Sequence, residues 1–70
     1  MNPRNAKLDE LKIIARENGK KAARGKMTHS DAVQANSSNV FAVETEHPEL
    51  FPHPDRLINL LDQITEDAMS

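Results

Sequence analysis

Apolar residues return at three- and four-residue steps through much of the chain, most plainly between Pro54 and Ala68. There Leu57, Leu61, Ile64 and Ala68 define one face, with Ile58 and Leu60 beside them, which is the periodicity of an amphipathic α-helix. Pro54 suits a first helical position, because its φ is already helical and its missing N–H would have had no partner there. Asp55 complements the positive helix N-terminus, whereas Glu66 and Asp67 oppose the dipole at the other end, so a helix over about 54–67 with a fraying C-terminus is expected.

Upstream, Asn5 can cap a helix whose Leu8, Leu11, Ile14 or Ala15, Asn18 and Ala22 share a face, with Ile13 widening the stripe and Asp9, Lys12, Arg16 and Lys20 opposite. Gly19 interrupts it at a cost of about 1 kcal/mol. Ala22-Ala23 and the basic last turn still favour a single helix running to Gly25. Thr28 or Ser30 can cap a short second helix over 31–35, with Met27 as an apolar plug. Asn36-Ser37-Ser38-Asn39 reads as a polar break, Val40 to Glu46 as a further short helix, and His47-Pro48 as its end. Leu50 and Phe51 then dock from a connector. The expected fold is all-α: one domain over 1–70, a bundle of three to four helices, with 1–4 and 69–70 frayed. The Leu57, Leu61 and Ile64 face should meet Leu8, Leu11 and Ile14 and one of the two phenylalanines, Phe41 or Phe51.

Size limits what such a bundle can bury. A chain of 70 residues covers only roughly 60% of the surface its unfolded form exposes. A single core of that size supplies about 3–5 kcal/mol, so completion by a homodimer is expected. There are no cysteines to add disulfides or thiolate–zinc sites, which suits a reducing compartment. No apolar run approaches the ~20 residues of a membrane span, nor does the N-terminus carry the apolar core of a secretory signal. A cytoplasmic location without membrane contact is the expectation. The net charge of −2 conceals a division: residues 1–26 hold eight basic and three acidic side chains, +5, and residues 27–70 hold Arg56 against eight carboxylates, −7. Such asymmetry marks an interaction surface or a head-to-tail contact between copies.

Little in the chain suggests chemistry. His29, His47 and His53 lack the helical spacing of a metal pair, and two of them precede prolines in loops. Glu44, Glu46 and Glu49 have no apolar concavity to shift their acidity and read as a solvated face. Gly19 and Gly25 are the only glycines, too few for a phosphate-cradling loop. Neither catalysis, a cofactor nor a metal is expected. The basic run from Gly19 to Lys26 stands out instead. Arg16, Lys20, Lys21, Arg24 and Lys26, with Arg56, are the candidate partner-binding residues; phosphate contacts are open to them as well, but with no Tyr or Trp the chain offers no stacking platform for single strands.

From Thr28 to Ile64 the order of pieces, a capped helix, the Asn36-Ser37-Ser38-Asn39 break, a segment ending Val43-Glu44, a proline-containing loop and Arg56-Leu57-Ile58-Asn59-Leu60-Leu61, resembles the second half of Cro/repressor-type helix-turn-helix domains. In that family the helix after the break enters the major groove, so the resemblance implies DNA contact by Ser37, Ser38, Asn39 and Thr45. The same segment carries Glu44 and Glu46 and no Arg or Lys, and phosphates repel such a face. The preferred expectation is therefore a non-enzymatic inhibitor, anti-activator or adaptor that binds another protein, of a kind found in phage or bacteria, with a DNA-binding regulator as the alternative.

Overall fold

A computed structural model describes residues 2–70, and within them three helices run Pro3–Ala23 (α1), His29–Glu46 (α2) and Pro54–Met69 (α3). No described residue is in a strand. The fold is the all-α bundle that the periodicity predicts.

The helix α1 begins earlier than Asn5. Asn2 is its cap, the side-chain oxygen accepting from the Arg4 N–H at 2.9 Å, and Pro3 follows at the first helical position. An extended cap residue followed by proline is a pre-organised start. Arg4 is tied down as well: its Nε donates to the Leu50 carbonyl at 3.2 Å and its guanidinium lies 5.8 Å from the centre of the Phe51 ring. The expected frayed start is thus a built one from Asn2 onward, and Met1 lies outside the described residues. At the other end α1 runs through Gly19 as one helix, as expected, and ends at Ala23 with Arg24 as its cap residue. Gly25, at φ +76°, reverses the chain, with its N–H bonded to the Ala22 carbonyl and the Lys26 N–H to the Lys21 carbonyl, the two bonds of a Schellman cap.

Thr28 caps α2, accepting from the Asp31 N–H at 3.0 Å. The expected break at Asn36–Asn39 is absent, and the two short helices are one of 18 residues. Serine and asparagine weaken helices mainly by bonding nearby backbone in other conformations. Here Asn36 is 1% exposed and its amide is spent on α3 instead. With neither Gly nor Pro in the stretch, packing overrides a weak local preference. His47 ends α2 before Pro48, and after the connector Pro54 opens α3, which continues to Met69 with Ser70 as its cap residue, two residues past the expected end.

The helices α1 and α3 run parallel and touch most closely, while α2 returns antiparallel over both. Arg4 meets Leu50 and Ala15 meets Thr65, whereas His29 at the start of α2 reaches Glu66 near the end of α3. Leu11, Ala15, Val40, Phe51, Leu57 and Leu61 form the buried cluster, with Leu8, Val43, Leu50, Ile58 and Ile64 packed around it. Phe51 rather than Phe41 fills the core; Phe41 is 69% exposed. The innermost column of α3 is Leu57, Leu61, Thr65, one every fourth residue, and the expected Ile64 is half-buried beside it.

Candidate protein-interaction surface

One polar network inside the bundle fixes how the surface residues are presented. Asn36 of α2 donates both amide hydrogens to α3, to Asp62 Oδ1 at 3.0 Å and Thr65 Oγ1 at 2.9 Å. The Thr65 hydroxyl lies within reach of two carbonyls, Ala15 on α1 at 3.1 Å and Leu61 at 3.0 Å. It has one proton, so it donates to one of them at a time. Every helix is therefore tied to the others through Asn36 and Thr65. No buried side-chain donor or acceptor in the described residues lacks a partner, the condition under which an interior polar network specifies an arrangement rather than weakening it.

Gly19 sets the closeness of α1 to α3. A Cβ built there would run into the Thr65 carbonyl oxygen and stand 2.8 Å from the Ala68 Cβ. The residue that interrupts the helical pattern of the sequence is the one that lets the two backbones approach. Neither Gly19 nor the network is visible in apolar periodicity. The available sign is that Thr65 continues the four-residue step from Leu57 and Leu61, a polar residue where an apolar one would be expected.

Of the six candidate partner-binding cations, five gather at one end of the bundle. Arg16, Lys20, Lys21, Arg24 and Lys26 are all exposed on the second half of α1 and the turn after it. Lys20 pairs with Glu17 at 3.7 Å. Arg16 and Lys20 also edge a shallow cleft of about 280 Å3 whose other lining residues are Ile64, Asp67 and Ala68. The Schellman turn at Gly25 places Lys26 beside Lys21 rather than one turn farther on. Arg56 does not belong to this group. Gly19 packs against Thr65 and Ala68, so Arg56 lies about ten residues, ~15 Å, down α3 from that level. There it lines a second cleft of about 210 Å3 with Arg4, Leu8, Phe51, Leu57 and Leu60.

The residues that the helix-turn-helix resemblance assigns to DNA all lie within α2, where no turn precedes them. Ser37, Ser38 and Asn39 are consecutive and so fan over ~200° of the helix circumference. Asn39 lines a groove against Leu11 and Ile14 of α1, Ser38 is exposed, and the Thr45 hydroxyl donates to the Phe41 carbonyl at 2.9 Å. They do not share a face. His29 contacts Glu66 at 3.6 Å and His47 contacts Glu49 at 3.5 Å, both pairs exposed. Among the described residues no three potential metal ligands converge, and no helix is long and apolar enough to cross a membrane. Among the described residues three large apolar side chains are left in solvent, on three different helices: Ile13, Phe41 and Leu60.

Comparison with protein-family models, with curated proteins and with solved structures finds no match to this chain.

Proposed function

We propose that the chain is a non-enzymatic regulatory protein that acts by binding another protein, as an inhibitor, anti-activator or adaptor, and that it works as a homodimer. The observation that carries this reading is the gathering of Arg16, Lys20, Lys21, Arg24 and Lys26 on one exposed, firmly capped helix end. Such a patch steers an acidic partner and raises its association rate more than its residence time. Exposed apolar side chains supply what charge alone does not, and Phe41 offers an aromatic anchor of the kind that dominates interface energetics. Neither step calls for a cofactor.

A DNA-binding regulator is the second reading, and the same five cations favour it, since phosphates need only positive charge within reach. Against it, α2 presents no Arg or Lys and carries Glu44 and Glu46. The test of the preferred reading is capture from bacterial lysate on the immobilised chain. One protein retained in stoichiometric amount, and lost when Lys20, Lys21 and Arg24 are replaced together by Ala, is the expected result. Retention unchanged by that triple replacement would remove the basic end from the interface, and no retained protein would remove the reading itself.

A further inference from the structure

Asn18-Gly19 is the one place in the chain where an asparagine precedes a glycine; the other asparagines precede Pro3, Ala6, Ser37, Val40 and Leu60. In an open chain this dipeptide readily loses its side-chain amide, because glycine has no side chain to shield its nitrogen and leaves the backbone free to turn. The Gly19 nitrogen attacks Asn18 Cγ, its proton departs with the amide as ammonia, and a five-membered imide closes. Water then opens the imide at either carbonyl. The products are aspartate and isoaspartate, in which the main chain runs through the side-chain carbons. Ammonia leaves, water enters, and nothing is oxidised or reduced.

The fold blocks the first step. Both residues are buried within α1, Asn18 at 8% exposure, and Gly19 packs on Thr65 and Ala68 of α3. In the helical ladder the Gly19 N–H is spent on the Ala15 carbonyl, four residues back. Helical side chains lean toward the N-terminus, which turns Asn18 Cγ away from that nitrogen. The Ala15 carbonyl also lies 3.1 Å from the Thr65 hydroxyl, so a contact between α1 and α3 sits on the bond that guards the site. We propose that Asn18-Gly19 is a self-modification site masked by the α1–α3 contact, and that its reaction turns a transient opening into a permanent one. Isoaspartate at 18 lengthens the main chain and breaks the hydrogen-bond register through the last turns of α1. Aspartate puts a charge where the amide was almost dry. Either product opposes the return of Gly19 to its seat against Thr65. Lys20, Lys21 and Arg24 follow on the same helix, so the basic end loses its shape with it.

The test uses the chain alone, with loss of the amide followed by ion exchange and peptide mass spectrometry at neutral pH. In unfolding urea Asn18 should be converted ahead of every other asparagine. The folded chain should convert at least about tenfold more slowly, since slow chemistry on an opened state follows the population of that state. At intermediate urea the rate should rise in step with the unfolded fraction seen by circular dichroism. Thr65→Val, which weakens the guarding contact, should speed conversion in buffer about fivefold or more. Asn18→Gln should leave position 18 intact in urea, because its longer side chain closes a six-membered ring far more slowly. The converted chain, returned to buffer, should melt below the parent, whereas a parent exposed to urea only briefly should refold in full. A folded chain converted within about tenfold of the unfolded rate, or a Thr65→Val variant no faster than the parent, would overturn the mask. A converted chain with the parent's helix content and melting temperature would overturn the permanent opening. Conversion led by another asparagine would overturn the site.

Discussion

At Thr65 a hydroxyl with no solvent exposure accepts from Asn36 and faces the carbonyls of Ala15 and Leu61. Valine has nearly the same shape and neither function. Thr65→Val would leave one Asn36 amide hydrogen without its acceptor in a dry interior and remove a second hydrogen bond from an inward helical carbonyl, a loss of about 1–3 kcal/mol. For a domain of this size each kcal/mol lowers the melting temperature by roughly 4–8 °C. Thermal unfolding followed by circular dichroism should show that drop for Thr65→Val and much less of it for Thr65→Ser, which keeps the hydroxyl. A valine variant as stable as the parent would mean that the hydroxyl adds nothing beyond its volume. The local sequence sets Thr65 in step with Leu57 and Leu61 but does not show what its hydroxyl meets, because its role depends on Asn36, 29 positions away in the chain.

Between elements, the close approach of α1 and α3 at Gly19 makes a second prediction. Gly19→Ala improves intrinsic helix propensity by about 1 kcal/mol, yet its Cβ would meet the Thr65 carbonyl oxygen and the Ala68 side chain. Backbone cannot yield as a flexible side chain can, so the helices must separate, at a cost of about 1–3 kcal/mol or more. Urea unfolding should find Gly19→Ala less stable than the parent; a more stable variant would mean that the helices do not approach there. Helix α3 was legible because Leu57 and Leu61 carry a strong periodic signal after a proline start, and the long α1 because Ala22-Ala23 outweighs one glycine. The continuity of α2 was not legible. Asn36 to Asn39 has the composition of a loop, and the stabilising partner of Asn36 lies on another helix. The choice between Phe41 and Phe51 was undecidable for a related reason: periodicity places a residue on a face without saying which face meets a neighbour.

For the molecule as a whole, the division of charge along the sequence becomes a division in space. Five cations crowd the end of α1, while α2 and α3 carry most of the carboxylates. The gathering of Arg16, Lys20, Lys21, Arg24 and Lys26 was legible, since all belong to one helix and the turn that ends it. The separation of Arg56 from them was not, because it follows from α1 and α3 running parallel. The fanning of Ser37, Ser38 and Asn39 around α2 likewise follows from a helix where a turn was expected. What the basic end binds is the central question, and salt answers it directly. Were all five cations each to neutralise a phosphate, the logarithm of the affinity for duplex DNA would fall with the logarithm of salt with a slope approaching about −4.5. Replacing Lys20, Lys21 and Arg24 by Ala would flatten that slope and weaken all sequences alike. The measurement is therefore a salt titration of duplex binding by fluorescence anisotropy. A protein-binding regulator predicts negligible binding at ~150 mM salt, whatever the DNA sequence, because its exposed α2 face repels phosphate. Saturable binding to a defined operator at that salt, with a steep slope that the triple replacement flattens, would contradict it.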